Sequence, residues 1–418
     1  MEAYKAVIIP FKPPVELLRD FRDMVNYCIQ AGLRHGATSK FKLTRLVYRE
    51  LTAKYPWHSW YALSAIEVAC AILKNYRKSL RRGLSPRVPR ARRLIAKIGN
   101  QALKVEEGRV RVPLRPRKWL YIPLHRRASE FVEAGCRLRS ATLTPNAACL
   151  AFSKQVDGIE PRSWAAVDVN EDNVTLATSN GEVEVYELSR LKRAGYGYFA
   201  RRKAIQRRYH GDRRVLKKAL SKLSKNYRSL VSSELHKASA AIIKLCKERG
   251  YGLIVEDLRG LRGSVNAKVK RLNPYSGKIQ PTSTRSKELK RRLNNWWFRR
   301  LLNQLEYKAK WEGMSIEAVD PKGSSSTCPM CRSKLKLYLN GRVECSSCGY
   351  HGDRHVTACL NLLKASDVTP RFGVERPLDV AVNPALTTLM GVRASWASIR
   401  GEVNWEANRT TGRCANYT

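Results

Sequence analysis

With 79 Lys and Arg against 35 Asp and Glu, the 418-residue chain carries a formal net charge of +44, which would repel itself in a compact fold without a polyanion to offset it. Hydrophobic residues make up 43%, enough to build cores, so wholesale disorder is excluded and two to four domains are expected. Surfaces rich in Lys and Arg for thermal stability balance them with Glu, as this one does not, so nucleic acid is the expected partner.

The N-terminal residues MEAYKAVIIPFKPP lack a basic region followed by an apolar one, so no secretory signal is expected. No run of about 18 apolar residues occurs, so no membrane span is expected. Four of the eleven cysteines are paired in sequence and seven are single, which fits a reducing cytoplasm.

In chain order, KAVIIPF reads as a strand. Three helical stretches follow, VELLRDFRDMVNYCIQAGL, SKFKLTRLVYRELTAKY with an N-cap serine, and SWYALSAIEVACAILKNYRKSLRRG. VEEGRVRVPL and RKWLYIPL alternate as strands, and RLRSATLTPNAACLAFSK adds a hairpin. Residues 1–160 thus form a strand domain with a helical insert at about 14–83. A second region, 161–322, opens with the strands WAAVDV, VTLATSN and GEVEVYEL, then a basic helical segment at 189–230 and a helix, SSELHKASAAIIKLCKER. The strand YGLIVEDL follows. Segment 259–288 has no clear period and reads as a mobile loop; ELKRRLNNWWFRRLLNQLEYKAKWEG reads as one helix, and SIEAVDP as a last strand. Residues 323–352 hold the cysteine pairs, 353–366 a short helix, and 367–418 a flexible tail. This order suggests a multidomain α+β chain with an RNase H-like core.

Cys328 and Cys331, then Cys345 and Cys348, are Cys-x-x-Cys pairs separated by thirteen residues with an Asn340-Gly341 turn between. Four thiolates so spaced close a tetrahedron around Zn2+, and a closed site is structural. Asp168 in AAVDVN and Glu256 in LIVEDL sit on apolar strands, where a carboxylate is costly unless paired or metal-bound. Side by side they would suit a two-metal phosphodiesterase, or simply pair with bases. Asp257 and Asp320 read as structural. In the basic segment, Arg190, Lys192, Arg193, Arg201, Arg202, Arg207 and Arg208 interleave with Tyr196, Tyr198, Phe199, Tyr209 and Tyr227, a pattern that tracks phosphates and stacks bases. Trp296, Trp297 and Trp311 read as core.

AAVDVNEDNVT, LIVEDLRGLR, WWFRRLLNQLEYKAKWEG and DPKGSSSTCPMC…CSSCGYHGDRHVTACLNL together resemble the TnpB family, RNA-guided nucleases of insertion sequences and relatives of type V CRISPR effectors, over roughly residues 5–366. The phrasing is most similar to archaeal members. The resemblance implies a wedge-like β-barrel with a helical recognition insert, then a RuvC nuclease domain interrupted by a zinc ribbon. It implies guide RNA and target duplex DNA as partners and Mg2+ (or Mn2+) as the cleavage cofactor. Asp168 becomes the first RuvC acid and Glu256 the second. The family shows Asp-Arg-Asp-Val-Asn-Ala where this chain reads Asp353-Arg354-His355-Val356-Thr357-Ala358, so His355 stands at the third metal-ligand position. Asp353 can supply the carboxylate instead, His355 can ligate a softer ion such as Mn2+, or the chain binds DNA without cutting it.

Overall fold

A computed structural model describes residues 1–274 and 276–366; the tail expected at 367–418 lies outside the described residues. The chain divides into two compact units, Met1–Asp157 and a second from Gly158 onward.

The first unit runs β1 (Glu2–Pro10), α1 (Val15–Arg34), α2 (Lys40–Lys54), α3 (Ser59–Arg81), β2 (Ala96–Gly99), β3 (Lys104–Glu106), β4 (Arg109–Arg115), β5 (Lys118–Pro123), α4 (Arg126–Glu133), β6 (Arg137–Thr144) and β7 (Ala147–Gln155). Ser39 caps α2 by accepting from the Lys42 N–H. The segment VEEGRVRVPL is two strands, because Glu107 and Gly108 both turn to positive φ and fold β3 back on β4. The strands form two open sheets, β1-β7-β6-β2 and β3-β4-β5, which share one apolar core with the helices.

The second unit continues with β8 (Ser163–Val169), β9 (Asn173–Thr178), β10 (Val183–Glu187), α5 (Ser189–Arg208), α6 (Arg213–Arg249), β11 (Tyr251–Glu256), α7 (Leu261–Asn266), β12 (Lys268–Leu272), β13 (Ile279–Ser283), α8 (Lys287–Asn295), α9 (Phe298–Trp311) and β14 (Ile316–Val319). The short strands β15 (Lys336–Leu337), β16 (Arg342–Glu344) and β17 (His351–Asp353) precede α10 (Arg354–Ala365). The main sheet has the order β10-β9-β8-β11-β14, with β11 parallel to both β8 and β14. β8 and β11 are buried along their whole length, as near-continuous apolar strands covered on both faces must be. Ala165, Val167, Leu253 and Val255 face the core shared with α6 and α9, while Trp164, Ala166 and Ile254 face Cys359, Leu362 and Leu363 of α10. By the two-residue period, Asp168 and Glu256 fall on the α10 side.

Three local expectations change. The basic segment breaks at Tyr209–Asp212, where the Asp212 carboxylate caps a 37-residue α6 that runs on through the next expected helix. The segment expected as a mobile loop holds α7 and an antiparallel β12–β13 hairpin. The single helix expected over 288–313 is two, because Trp296 leaves the helix with extended backbone and its indole N–H donates to the Asn170 carbonyl at 3.0 Å.

Gly252 lies opposite Trp164 in register, and a Cβ there would stand 2.6 Å from the indole ring. Gly252→Ala must therefore displace a buried tryptophan or the strand itself. It should cost about 2 kcal/mol in urea unfolding; an unchanged midpoint would mean that the ring has room to move.

Candidate metal and nucleic-acid sites

The four cysteines come together on two similar turns. Cys328 N–H donates to the Ser333 carbonyl and Cys345 N–H to that of Tyr350, each at 2.7 Å. The residue after each pair, Arg332 or Gly349, adopts positive φ and returns its N–H to the carbonyl of the first cysteine at 3.1 and 3.0 Å. The sulfurs of Cys328 and Cys348 are 3.5 Å apart and those of Cys331 and Cys345 3.4 Å. A tetrahedral ion with Zn–S near 2.3 Å implies edges of about 3.8 Å, so the set fits zinc closely. Hydrogen bonding by Ser333 lowers the Cys331 thiol to about 6, while burial raises that of Cys328; a bound metal would hold both as thiolates.

The ribbon leads directly into the acidic site. β17 pairs with β16 and ends at Asp353, the N-cap of α10. The Arg354 N–H donates to the Gly341 carbonyl, and Asn361 Nδ2 donates to the carbonyls of Ser324 and Thr327, both at 2.7 Å. Tyr350 and Thr357 hydroxyls meet at 2.8 Å. The first turn of α10 is thus fixed by the metal-binding module.

Asp168 and Glu256 stand one residue past the last registered pair of β8 and β11, Val167 opposite Val255. Both are buried. Burial raises the Glu256 pKa from its usual value near 4.5 to about 8, with the Asp168 charge adding to it; the Val169 N–H on its carboxylate pulls the other way without offsetting either. Beneath them Cys359 donates its thiol to the Thr175 carbonyl at 3.3 Å, and burial keeps that thiol protonated.

His355 reaches Asp168, while Asp353 caps α10. His355 Nδ1 lies 2.8 Å from Asp168 Oδ2. The Asp353 carboxylate instead accepts the N–H groups of His355 and Val356 at 2.9 and 3.2 Å, where the positive end of α10 favours an anion. Among the described residues, the four cysteines are the one group of three or more His, Cys, Asp or Glu donors within 4.8 Å of one another, so Asp168, Glu256 and His355 do not converge that tightly.

Two further residues, Asn170 and Trp296, bear on the acidic pair. Asn170 Nδ2 donates to Asp168 Oδ2 at 2.8 Å and to Asn173 Oδ1 at 3.1 Å, while its carbonyl is held by Trp296. The same turn is gripped by Arg292 on Glu171 and Lys192 on Asp172, each at 2.9 Å. Burial would lift the Asp172 pKa, but Lys192, helped by His355, holds it below the usual carboxylate range. Asp257 is outside the site, held low at about 2 by Arg259, and Asp320 accepts the Lys322 N–H in a turn.

The basic residues divide. Arg190 pairs with Glu234 and Lys192 with Asp172. Arg193, Arg201, Arg202, Arg207 and Arg208 are exposed and make no ion pair among the described residues. Tyr196 is exposed, whereas Tyr198 stacks on Tyr227 at 4.4 Å and packs α5 on α6. Between those helices lies a cavity of about 840 Å³ lined by Arg202, Arg213, Lys217, Lys225 and Arg228 with no acid. Four of these five come from α6 and were not singled out, because only the helix pairing brings them to one groove.

Residues 298–362 match the family model Cas12f1-like, TNB domain, and residues 17–113 match the Uncharacterized protein MJ0013 family. The chain is 28% identical over 280 residues to the TnpB-like protein MJ0751 of Methanocaldococcus jannaschii, covering 64% of this chain and 95% of that protein. It is 27% identical over 187 residues to the CRISPR-associated endodeoxyribonuclease Cas12f1 of Syntrophomonas palmitatica, covering 43% of this chain and 32% of that one. A solved Cas12f1–sgRNA–target DNA complex aligns with a TM-score of 0.56 at 14% identity, over 83% of this chain and 81% of that one, a likeness of fold alone. The chain has a multidomain α+β fold like that of Cas12f1, with a zinc-ribbon-like cysteine cluster. The chain is similar to TnpB-like proteins of the archaeon Methanocaldococcus jannaschii, over 64% of its length in one case and 81% in another. No helix among the described residues is long and apolar enough to cross a membrane.

Proposed function

We propose that this chain is an RNA-guided DNA endonuclease whose RuvC-like core is the five-stranded sheet and whose reacting centre lies at Asp168 and Glu256. The observation that carries this reading is the pair itself: two buried carboxylates at adjacent parallel strand ends, with Glu256 driven to about 8 by burial and by the Asp168 charge. Such a pair fits a divalent cation. Bound there, magnesium or manganese supplies charge for the phosphodiester oxygens and lowers the pKa of the attacking water. Asn170 and His355 both approach Asp168 Oδ2, so they orient that carboxylate and leave Oδ1 to face a ligand. The residues of α10 and Cys359 exclude water from the far side. The four cysteines hold structural zinc, and the acid-free α5–α6 groove accepts a phosphate backbone of guide or target.

A second reading, guided binding without cutting, is favoured by one specific arrangement: His355 on Asp168, with Asp353 committed to the helix cap. Cleavage of matched duplex DNA, with the chain loaded with its guide RNA in Mg2+ or Mn2+, separates the two. Cutting that Asp168→Ala abolishes supports the nuclease. Tight guided binding without cutting, converted to cutting by His355→Asp, supports the second reading.

RNA affinity should fall by about a thousandfold or more between about 50 and 200 mM salt, since many phosphates are neutralised. A flat titration would contradict the charge argument.

A further inference from the structure

We propose that the β12–β13 hairpin is a DNA-reading ribbon that lies in the major groove of B-form duplex, a role beyond the cleavage reading and independent of it. From residue 258 to 287 the chain has no acid and eight lysines and arginines. Five residue pairs join Lys268–Leu272 to Ile279–Ser283, and neither strand pairs with any other. Its residues are exposed on both faces. A lone two-stranded ribbon has little to stabilise it in water, and this one is cationic, so a polyanion is the partner that complements it.

The register decides which polyanion. Directly opposed residues share a face, so Arg271 and Gln280 stand together on one side, with Val269 and Thr282 beside them. Asn273 follows on that side, its Nδ2 3.5 Å from Gln280 Oε1, with Lys278 opposite through the Asn273–Lys278 backbone bond. Arg and Lys match the acceptors of guanine, Asn and Gln match adenine, and Val or Thr meets the thymine methyl. The other side carries Lys268, Lys270 and the pair Leu272–Ile279, of which the lysines serve the phosphate walls. Two strands about 5 Å apart fit a groove about 12 Å wide in B-form DNA. The deep, narrow major groove of A-form RNA does not admit them.

The test uses the full-length chain without RNA, in magnesium-free buffer, on a fluorescent duplex DNA pool with a randomised centre. The wild type should enrich a short motif and protect its guanine N7 atoms from dimethyl sulfate. Arg271→Ala with Gln280→Ala should lose that enrichment, with affinity for the motif falling about tenfold or more to that for unrelated duplex. Lys268→Ala with Lys270→Ala should weaken both duplexes alike and lower the salt slope by about two. Retention of the motif by the Arg271/Gln280 variant would overturn the proposal. So would its loss in Leu272→Ser/Ile279→Ser, or tighter binding of an RNA duplex. None of these readouts involves cleavage, so a failed ribbon and a failed nuclease are told apart.

Discussion

Glu256→Gln should unfold less readily than the parent above neutral pH and should cut DNA far more slowly. In the native chain the Glu256 pKa is raised to about 8, first by burial and then by Asp168. In the unfolded chain it is near 4.5. Between those values the native state keeps a proton that the unfolded state has released, so native stability declines as pH rises through that window and levels off above it. Glutamine keeps the shape and removes the charge. The variant should therefore gain on the order of 3 kcal/mol at about pH 8.5 and almost nothing at about pH 5. Urea melts in magnesium-free buffer would show it, and parallel pH profiles for the two proteins would mean that Glu256 is not strained. The same change should lower cleavage by at least about a hundredfold, because the pair loses the anion that a divalent ion needs. Stability gained and activity lost at one atom is the pattern of a site that carries uncompensated charge for its chemistry.

Cys345→Ser should reach the acidic pair from a distance. Structural zinc in small Cys/His modules contributes about 10 kcal/mol or more of folding free energy, and the ribbon has few other resources: its core is Cys328, Leu335, Val343, Cys345 and Tyr350, with Met330 against it. Loss of the ribbon would remove the Gly341, Ser324 and Thr327 carbonyls that hold α10. Zinc content by colorimetric release, the melting curve and amide exchange of residues 354–365 should all change, and cleavage should fall with them. Cys345→His keeps a tetrahedral donor and should restore zinc and exchange protection. Full protection of α10 in the serine variant would show that the helix stands without the metal.

The buried strands were legible because β8 and β11 are apolar on both faces with one acid near each end, a pattern with few physical explanations. The cysteine turns were legible for a similar reason, since spacing alone confines four thiolates. The helix break was not. LNNWWFRRLL keeps helical periodicity through Trp296, and what stops it is a hydrogen bond to Asn170, 126 residues away. Asp353 carried a readable signal, an aspartate one residue before a helical run, but the chemistry expected of an acid there obscured its service as a cap. The turn of the β12–β13 hairpin was also marked: Asn273-Pro274 and Ser276-Gly277 are turn dipeptides. The absence of a buried face removed the apolar period on which strands are usually recognised.

The excursion from β11 to α9 leaves and returns through a narrow neck. Asn266 and Asn294 exchange amide hydrogen bonds at 3.0 Å in both directions, and Arg262 Nη2 reaches the Trp296 carbonyl at 3.4 Å. The β12–β13 hairpin beyond Asn266 therefore hangs from two closely spaced points. Closing a neck of fixed width costs little more for a long insert than for a short one. The segment can in consequence be shortened, lengthened or exchanged as a cassette while the sheet keeps its two acids in place, which makes it a natural place for lineages of this chain to diverge and a practical graft point for engineering.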